Sequence, residues 1–232
     1  MLEYANVNKN LIKYINENIF PEYEKNDKGH GILHILEVIR RSFELKRSLN
    51  LDYLNDDMIF TIAACHDNGK YVDHKTHEKI AAERFYSNKD FVKFFTENQR
   101  KIIKEAIEDH RSSFEDIPRS DYGKLISSAD RNSTIDIVFI RSFFVGQDRT
   151  PDLVVEEFLD YTLNRLRKRY SEEDSENMFF EDDIYAKFLK DMRNLLKDEN
   201  AIKNRYCKVN NLTDRTKKII DFSGCKNYTL EK

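Results

Sequence analysis

The sequence predicts an all-α fold. Three observations carry that expectation: only 6 Gly and 3 Pro in 232 residues, apolar residues recurring at a helical period almost throughout, and a balance of 40% hydrophobic to 35% charged residues. Strand-rich folds need turn residues at short intervals, so the scarcity of Gly and Pro favours long helices and few turns. The balance of apolar and charged residues belongs to a globular chain that buries a core.

The elements follow in order from that periodicity. Leu11 to Phe20 reads as a short opening helix stopped by Pro21. Gly31 to Leu49 carries Ile32, Ile35, Leu36, Ile39 and Phe43 on one face. Asp56 to Asp67 is apolar nearly all round, as a helix through a core must be, and Asn68-Gly69 ends it. Thr76 is placed to cap a helix over residues 77–88, and Glu97 to His110 turns Ile102, Ile103, Ala106 and Ile107 inward. "SSFEDIPRSD" reads as a loop and Tyr122 to Val145 as one long helix, broken by "GQDRTPD". Leu153 to Tyr170 and Glu181 to Lys197 are amphipathic, and the acidic "SEEDSEN" between them is a solvated connection. After Asn200 the pattern weakens to a short helix and a loose tail.

A net charge of −3 with interspersed signs leaves no basic footprint, so no nucleic-acid polymer is expected as partner. Cys65, Cys207 and Cys225 form no C-x-x-C pair and no even set, which points to a reducing cytoplasm and not to a disulfide framework. The N-terminus lacks the apolar region of a secretion signal, and no run of about 18 apolar residues suggests a membrane span.

The chemistry-bearing residues are few. Of six histidines, His34 sits at the margin of an inward stripe, His66 ends the apolar helix beside Asp67, and His110 shares a face with Ala106 and Ile107. His77 stands at a helix N-terminus, where the dipole disfavours a protonated ring and so favours the neutral form a metal needs. Asp130 falls midway along a helical pattern, where Asp is otherwise a poor choice. Four His and two Asp on or beside buried faces of five helices can converge, and bundle cores are where such metal sites are built.

In order along the chain, "GHGILH", "AACHDNGK", "HEKIAAE", "IEDH" and "SSADR" resemble the sequential motifs of the HD-domain metal-dependent phosphohydrolase superfamily. The resemblance spans roughly residues 27–145. It implies an HD-domain-like helical bundle, with His34, His66, Asp67 and Asp130 as basic metal ligands. His77 and His110 match the extra histidines of members that hold two metals, with Asp67 bridging. Lys70 occupies a position that is acidic in nucleotidase-like and alarmone-hydrolase members, and "HDNGK" is closer to the HD-hydrophobic-Gly-Lys form of binuclear members, although Asn68 is polar. The expected organisation is one domain over residues 1–198, with a helical extension at 151–198 and a C-terminal tail at 199–232, as monomer or homodimer.

Imidazole with carboxylate suits one or two divalent ions of Mn, Fe, Zn, Co or Ni. Such ions supply hydroxide near neutral pH for in-line attack on phosphorus. The expected activity is hydrolysis of a small phosphomonoester or phosphodiester, nucleotide-like, with Asp67 and Lys70 catalytic and Lys70, Arg131 and His30 contacting substrate. Two other readings share these residues: an HD-type diiron oxygenase, and a non-catalytic metal-binding interaction module. Other motifs fail: "HEKIA" has Ala81 where a zinc-protease helix needs His, and no P-loop or nucleophile elbow occurs. His74 reads as a loop residue near the entrance, Cys65 as an inert buried thiol, and Phe139, Phe143 and Phe144 as packing residues.

Overall fold

The computed structural model describes residues 6–111, 116–131, 134–149, 155–170 and 179–210. These contain ten α-helices and no strand: α1 (Lys9–Asn18), α2 (Ile32–Ser48), α3 (Asp56–Cys65), α4 (His77–Ser87), α5 (Glu97–Glu108), α6 (Asp121–Ala129), α7 (Ile135–Arg149), α8 (Val155–Tyr170), α9 (Asp183–Leu196) and α10 (Glu199–Val209). The all-α expectation holds. The contacts group the chain into two compact units, residues 1–133 with 175–188, and residues 134–174 with 189–232. The first turns of α9 thus belong to the first unit and its remainder to the second.

In the first unit α3 is the central post. Every residue from Met58 to Cys65 is buried, and α2, α5 and α6 pack around it. Asn55 caps its start through a bond from the Met58 N–H, and Asp56 and Asp57 place negative charge in the first turn, where the helix dipole favours it. At the other end the carbonyls that a helix leaves unpaired find partners: Ala63 O meets Nδ1 of His66, Ala64 O accepts from the Tyr23 hydroxyl, and Cys65 O accepts from the Asn68 N–H. The greasy helix therefore ends in ordered polar chemistry.

Three sequence readings are corrected here. The pattern over Tyr122 to Val145 is two helices, because Asp130 caps the end of α6 and Thr134 opens α7 by accepting from the Ile137 N–H. The "GQDRTPD" break begins too early: α7 continues through Gly146 to Arg149. An added Cβ at Gly146 would lie 2.6 Å from the Phe158 ring, so the glycine serves close packing against α8 and does not stop the helix. Thr76 precedes α4 but makes no capping bond; its hydroxyl donates to Asp73 instead.

In the second unit Phe139 packs against Tyr206 and Phe143 against Phe158, which makes these aromatics helix-to-helix packing residues. Helix α10 occupies the start of the stretch read as a tail. The acidic connection at 171–177, Cys225 and the tail beyond 210 lie outside the described residues. Cys65 and Cys207 are free thiols.

Candidate metal centre

Five helix ends aim at one place. His34 comes from the first turn of α2, His66 from the C-cap of α3 with Asp67 next to it, His77 from the first residue of α4, His110 from just beyond α5, and Asp130 from the C-cap of α6. All six side chains that the sequence nominated as metal ligands converge. The reason is topological: packed helices meet at their ends, where a side chain escapes the i±4 ladder and backbone groups want polar partners.

Asp67 is the centre of the arrangement. Its Oδ2 lies 3.6 Å from Nε2 of His34 and 3.7 Å from Nε2 of His66. Its Oδ1 lies 3.1 Å from Nε2 of His77 and 3.6 Å from Nε2 of His110. Asp130 Oδ1 joins the first set, 3.0 Å from His34 Nε2 and 3.9 Å from His66 Nε2. The two oxygens of one carboxylate thus face two different pairs of imidazoles.

The backbone decides which nitrogen each ring offers. Nδ1 of His66, His77 and His110 lies 2.8, 2.9 and 2.6 Å from the carbonyl oxygen three residues earlier, on Ala63, His74 and Ile107. A carbonyl only accepts, so Nδ1 carries a hydrogen, and in the neutral ring Nε2 has its lone pair pointing inward. This is the outer-shell arrangement that prepares imidazole for a metal. Nε2 of His34 and of His66 is buried without a hydrogen bond, an unusual and costly condition for a polar atom. Three overlapping groups have donor atoms within 4.8 Å of one another: His34, His66 and Asp67; His66, His110 and Asp130; and Asp67, His77 and His110. The donor set and the orphaned nitrogens both fit a divalent metal.

Electrostatics separates the members. Burial holds His66 neutral, with a pKa pushed down to about 3. Burial also opposes charge on Asp67, but the Lys70 ammonium and then His66 outweigh it and hold the carboxyl well below its ordinary range. Asp130 is likewise lowered against burial, chiefly by the His34 ring 3.0 Å from its Oδ1 and then by His66. His110 is raised: burial disfavours its cation, and the Asp67 carboxylate beside it more than compensates.

The remaining candidates surround this centre. Gly69 takes φ 128°, and the turn it allows returns Lys70 Nζ to 3.2 Å from both Asp67 oxygens. His30 contacts the ring of His34 at a centroid distance of 5.9 Å. Arg131, adjacent to Asp130, is buried with its guanidinium over the rings of Tyr185 at 5.6 Å and Phe179 at 6.0 Å. His74 is exposed, between His30 and His77. Burial raises the Cys65 thiol to about 12, so it is no nucleophile. Asn68, the polar departure in the doublet motif, is buried and accepts from Arg84 Nη1 at 3.0 Å.

One support of the site has little trace in the sequence. Asp109 is wholly buried beside His110, and Arg119 anchors it through its backbone N–H at 2.8 Å and its guanidinium. Its only sequence signal is an acid next to a candidate histidine. Arg41, which shares a helix side with His34, is also buried, and its Nη2 donates to both carboxylate oxygens of Asp182. A partner 141 residues away leaves no local pattern to read. A cavity of about 950 Å³ has Asp109 and Arg119 in its wall, together with Lys104 and Glu83, which form an ion pair at 3.0 Å.

Residues 31–135 match the model of the HD domain family. Over these residues the chain carries an HD domain. The match takes in all six candidate ligands, from His34 to Asp130, and stops before most of α7. No curated protein and no solved structure matches the chain. No helix of the described residues is long and apolar enough to cross a membrane.

Proposed function

We propose that this HD domain is a metal-dependent phosphohydrolase acting on a small phosphomonoester or phosphodiester, nucleotide-like in character. The observation that carries the reading is the placement of Asp67, with one oxygen toward His34 and His66 and the other toward His77 and His110. In this reading His34, His66, Asp67 and Asp130 hold one divalent ion, and His77, His110 and Asp67 hold a second. Mn, Fe, Zn, Co or Ni suit such mixed imidazole and carboxylate donors. When bound, the ions supply a hydroxide nucleophile near neutral pH and offset the charge of phosphoryl oxygens.

The chain's own residues do the rest. Asp67, ionised despite its burial, is the shared ligand, and Lys70 keeps it so. Lys70 also brings a positive point charge to the place where a phosphoryl group would sit, with Arg131 as a second cation beside Asp130. Access follows the exposure: side chains of Asp130, His30 and Lys70 are 26, 15 and 10% exposed, whereas those of His66, Asp67 and His110 are at most 1%. Substrate therefore enters past Asp130, His30 and Lys70, with the inner histidines shielded from bulk water.

The test is hydrolysis of p-nitrophenyl phosphate, bis(p-nitrophenyl) phosphate and a nucleotide panel by protein stripped with chelator and reloaded with each metal. Metal-dependent release of phosphate or nitrophenol is the expected result. Inertness with every metal contradicts the reading. Substrate-dependent O₂ uptake by an iron-loaded sample would transfer the same ligand set to diiron oxygenase chemistry.

A further inference from the structure

The turn before α2 lies outside the segment that matches the family model, and two of its side chains tie it to the candidate centre. Asn26 uses its whole amide to join two turns. Its Nδ2 donates to the carbonyls of His30 at 3.1 Å and Asp67 at 3.2 Å, and its Oδ1 accepts from the Tyr71 N–H at 3.0 Å. Asp27 accepts from the Gly29 N–H at 2.9 Å and sets both carboxylate oxygens 2.8 Å from Nδ1 of His30. A carboxylate only accepts, so Nδ1 of His30 carries a hydrogen, and any contact between this ring and a bound substrate runs through Nε2.

His30 also closes a circuit. Its ring meets those of His34 at 5.9 Å and His74 at 6.3 Å. The series continues from His74 to His77, His110, His66 and back to His34, at 6.1, 5.3, 4.9 and 5.4 Å. All six histidines of the chain lie on this ring. His30 has 15% of its side chain exposed where His34, His66, His77 and His110 have 0–4%, and it belongs to none of the three metal-donor groups. It stands at the rim.

We propose that Asn26 and Asp27 are positioning residues that hold His30 at the rim as a substrate contact. Asp27 fixes which ring nitrogen is presented, and Asn26 locks the His30 turn to the turn between Asp67 and Tyr71. The identity of the substrate as a phosphate ester rests on the phosphohydrolase reading above. Rim contacts act only when held within a fraction of an ångström, and this locked turn supplies that constraint.

The experiment uses the full chain loaded with Mn(II), with bis(p-nitrophenyl) phosphate and p-nitrophenyl phosphate as probes. Asn26→Ala and Asp27→Ala are each expected to lower kcat by about tenfold to a hundredfold, the scale of a slightly misplaced group, with metal content unchanged. Neither should lower it further in a His30→Ala background. Asp27→Asn should stay within a few fold of wild type, since its one carbonyl oxygen can still accept from Gly29 N–H and His30 Nδ1–H. A second readout needs no substrate. Long-range ¹H–¹⁵N spectra of the zinc-loaded chain should show the hydrogen on Nδ1 of His30 in wild type and Asp27→Asn, and its loss from that nitrogen in Asp27→Ala. Losses that multiply with His30→Ala, or an Nδ1 hydrogen that survives Asp27→Ala, overturn the proposal. Should the wild type hydrolyse neither ester with any metal, the phosphohydrolase reading fails and the ring-nitrogen spectrum alone decides on the positioning.

Discussion

At Asp67 a single carboxylate reconciles a burial of 99% with a full charge, and it does so by facing cations and imidazoles on every side. Lys70 has two tasks there, keeping the acid ionised and offering charge to substrate, so its removal separates metal binding from turnover. Lys70→Ala should retain its metal, measured by elemental analysis, while kcat falls on the order of 10²-fold, as for the loss of one charge-stabilising group. Equal loss of metal and activity would place Lys70 among the groups that hold the ion. The pH behaviour follows from opposite shifts. Asp67 and Asp130 are lowered on folding, so they stabilise the fold above about pH 4 and lose that contribution below it. His66, at about 3, disfavours the fold wherever its unfolded counterpart is protonated, below about pH 6.5. His110 is raised, so its contribution is full below about pH 6.5 and fades as pH climbs through its folded value. Chelated protein should therefore melt highest near pH 6.5 and lose stability above it, a loss that His110→Asn abolishes. Metal affinity, read by calorimetry, should rise as pH climbs above about 6.5 and the His110 proton is shed. Asp130 is legible in the sequence as an anomaly, an acid inside a helical pattern; its position at the end of α6 removes the anomaly and keeps the residue in the site.

Among the elements, helix ends carry the chemistry and helix bodies carry the packing. That division explains what the sequence reveals. The apolar run from Met58 to Cys65 is unmistakable because burial acts on every residue of it. The break between α6 and α7 is hidden because the apolar period resumes in register, and the Asn132, Ser133 and Thr134 cluster is its only mark. Ligands on separate helices are recognisable through their order along the chain, whereas supports that act across long separations leave no such trace. Arg41 is the clearest case. The pattern of α2 suggests a solvated face for Glu37 and Arg40, which pair with each other, but Arg41 on the same side is buried against Asp182. Arg41→Ala should destabilise the protein by about 3–5 kcal/mol in chemical denaturation, because it strands a buried carboxylate. Adding Asp182→Asn should recover part of that loss. A cost below about 1 kcal/mol would mean that Asp182 finds water or another partner.

For the whole molecule, all six candidate ligands belong to the first of the two compact units, and none to the second. Metal binding is therefore expected to stabilise one unit directly. At a free metal concentration of a hundred times Kd the gain is about 2.7 kcal/mol. Hydrogen exchange followed by mass spectrometry should slow in α3, α5 and α6 on adding metal and stay unchanged in α8 and α10. Uniform protection across both units would show that they respond as one body. The all-α class and the candidate ligand set are both legible from sequence, the first because helical period pervades the chain and the second because the ligands fall in ordered motifs. The division into two units is not legible, because no Gly- or Pro-rich linker marks it and residues 175–188 return to the first unit from far along the chain.

The most direct test of the account joins metal to chemistry at Asp67. Chelator-stripped wild type and Asp67→Ala are titrated with Mn(II) while hydrolysis of bis(p-nitrophenyl) phosphate and p-nitrophenyl phosphate is followed. Activity is expected to rise with bound metal in the wild type, with neither tight metal binding nor activity in Asp67→Ala. Hydrolysis that is independent of metal, or that survives intact in Asp67→Ala, would contradict it.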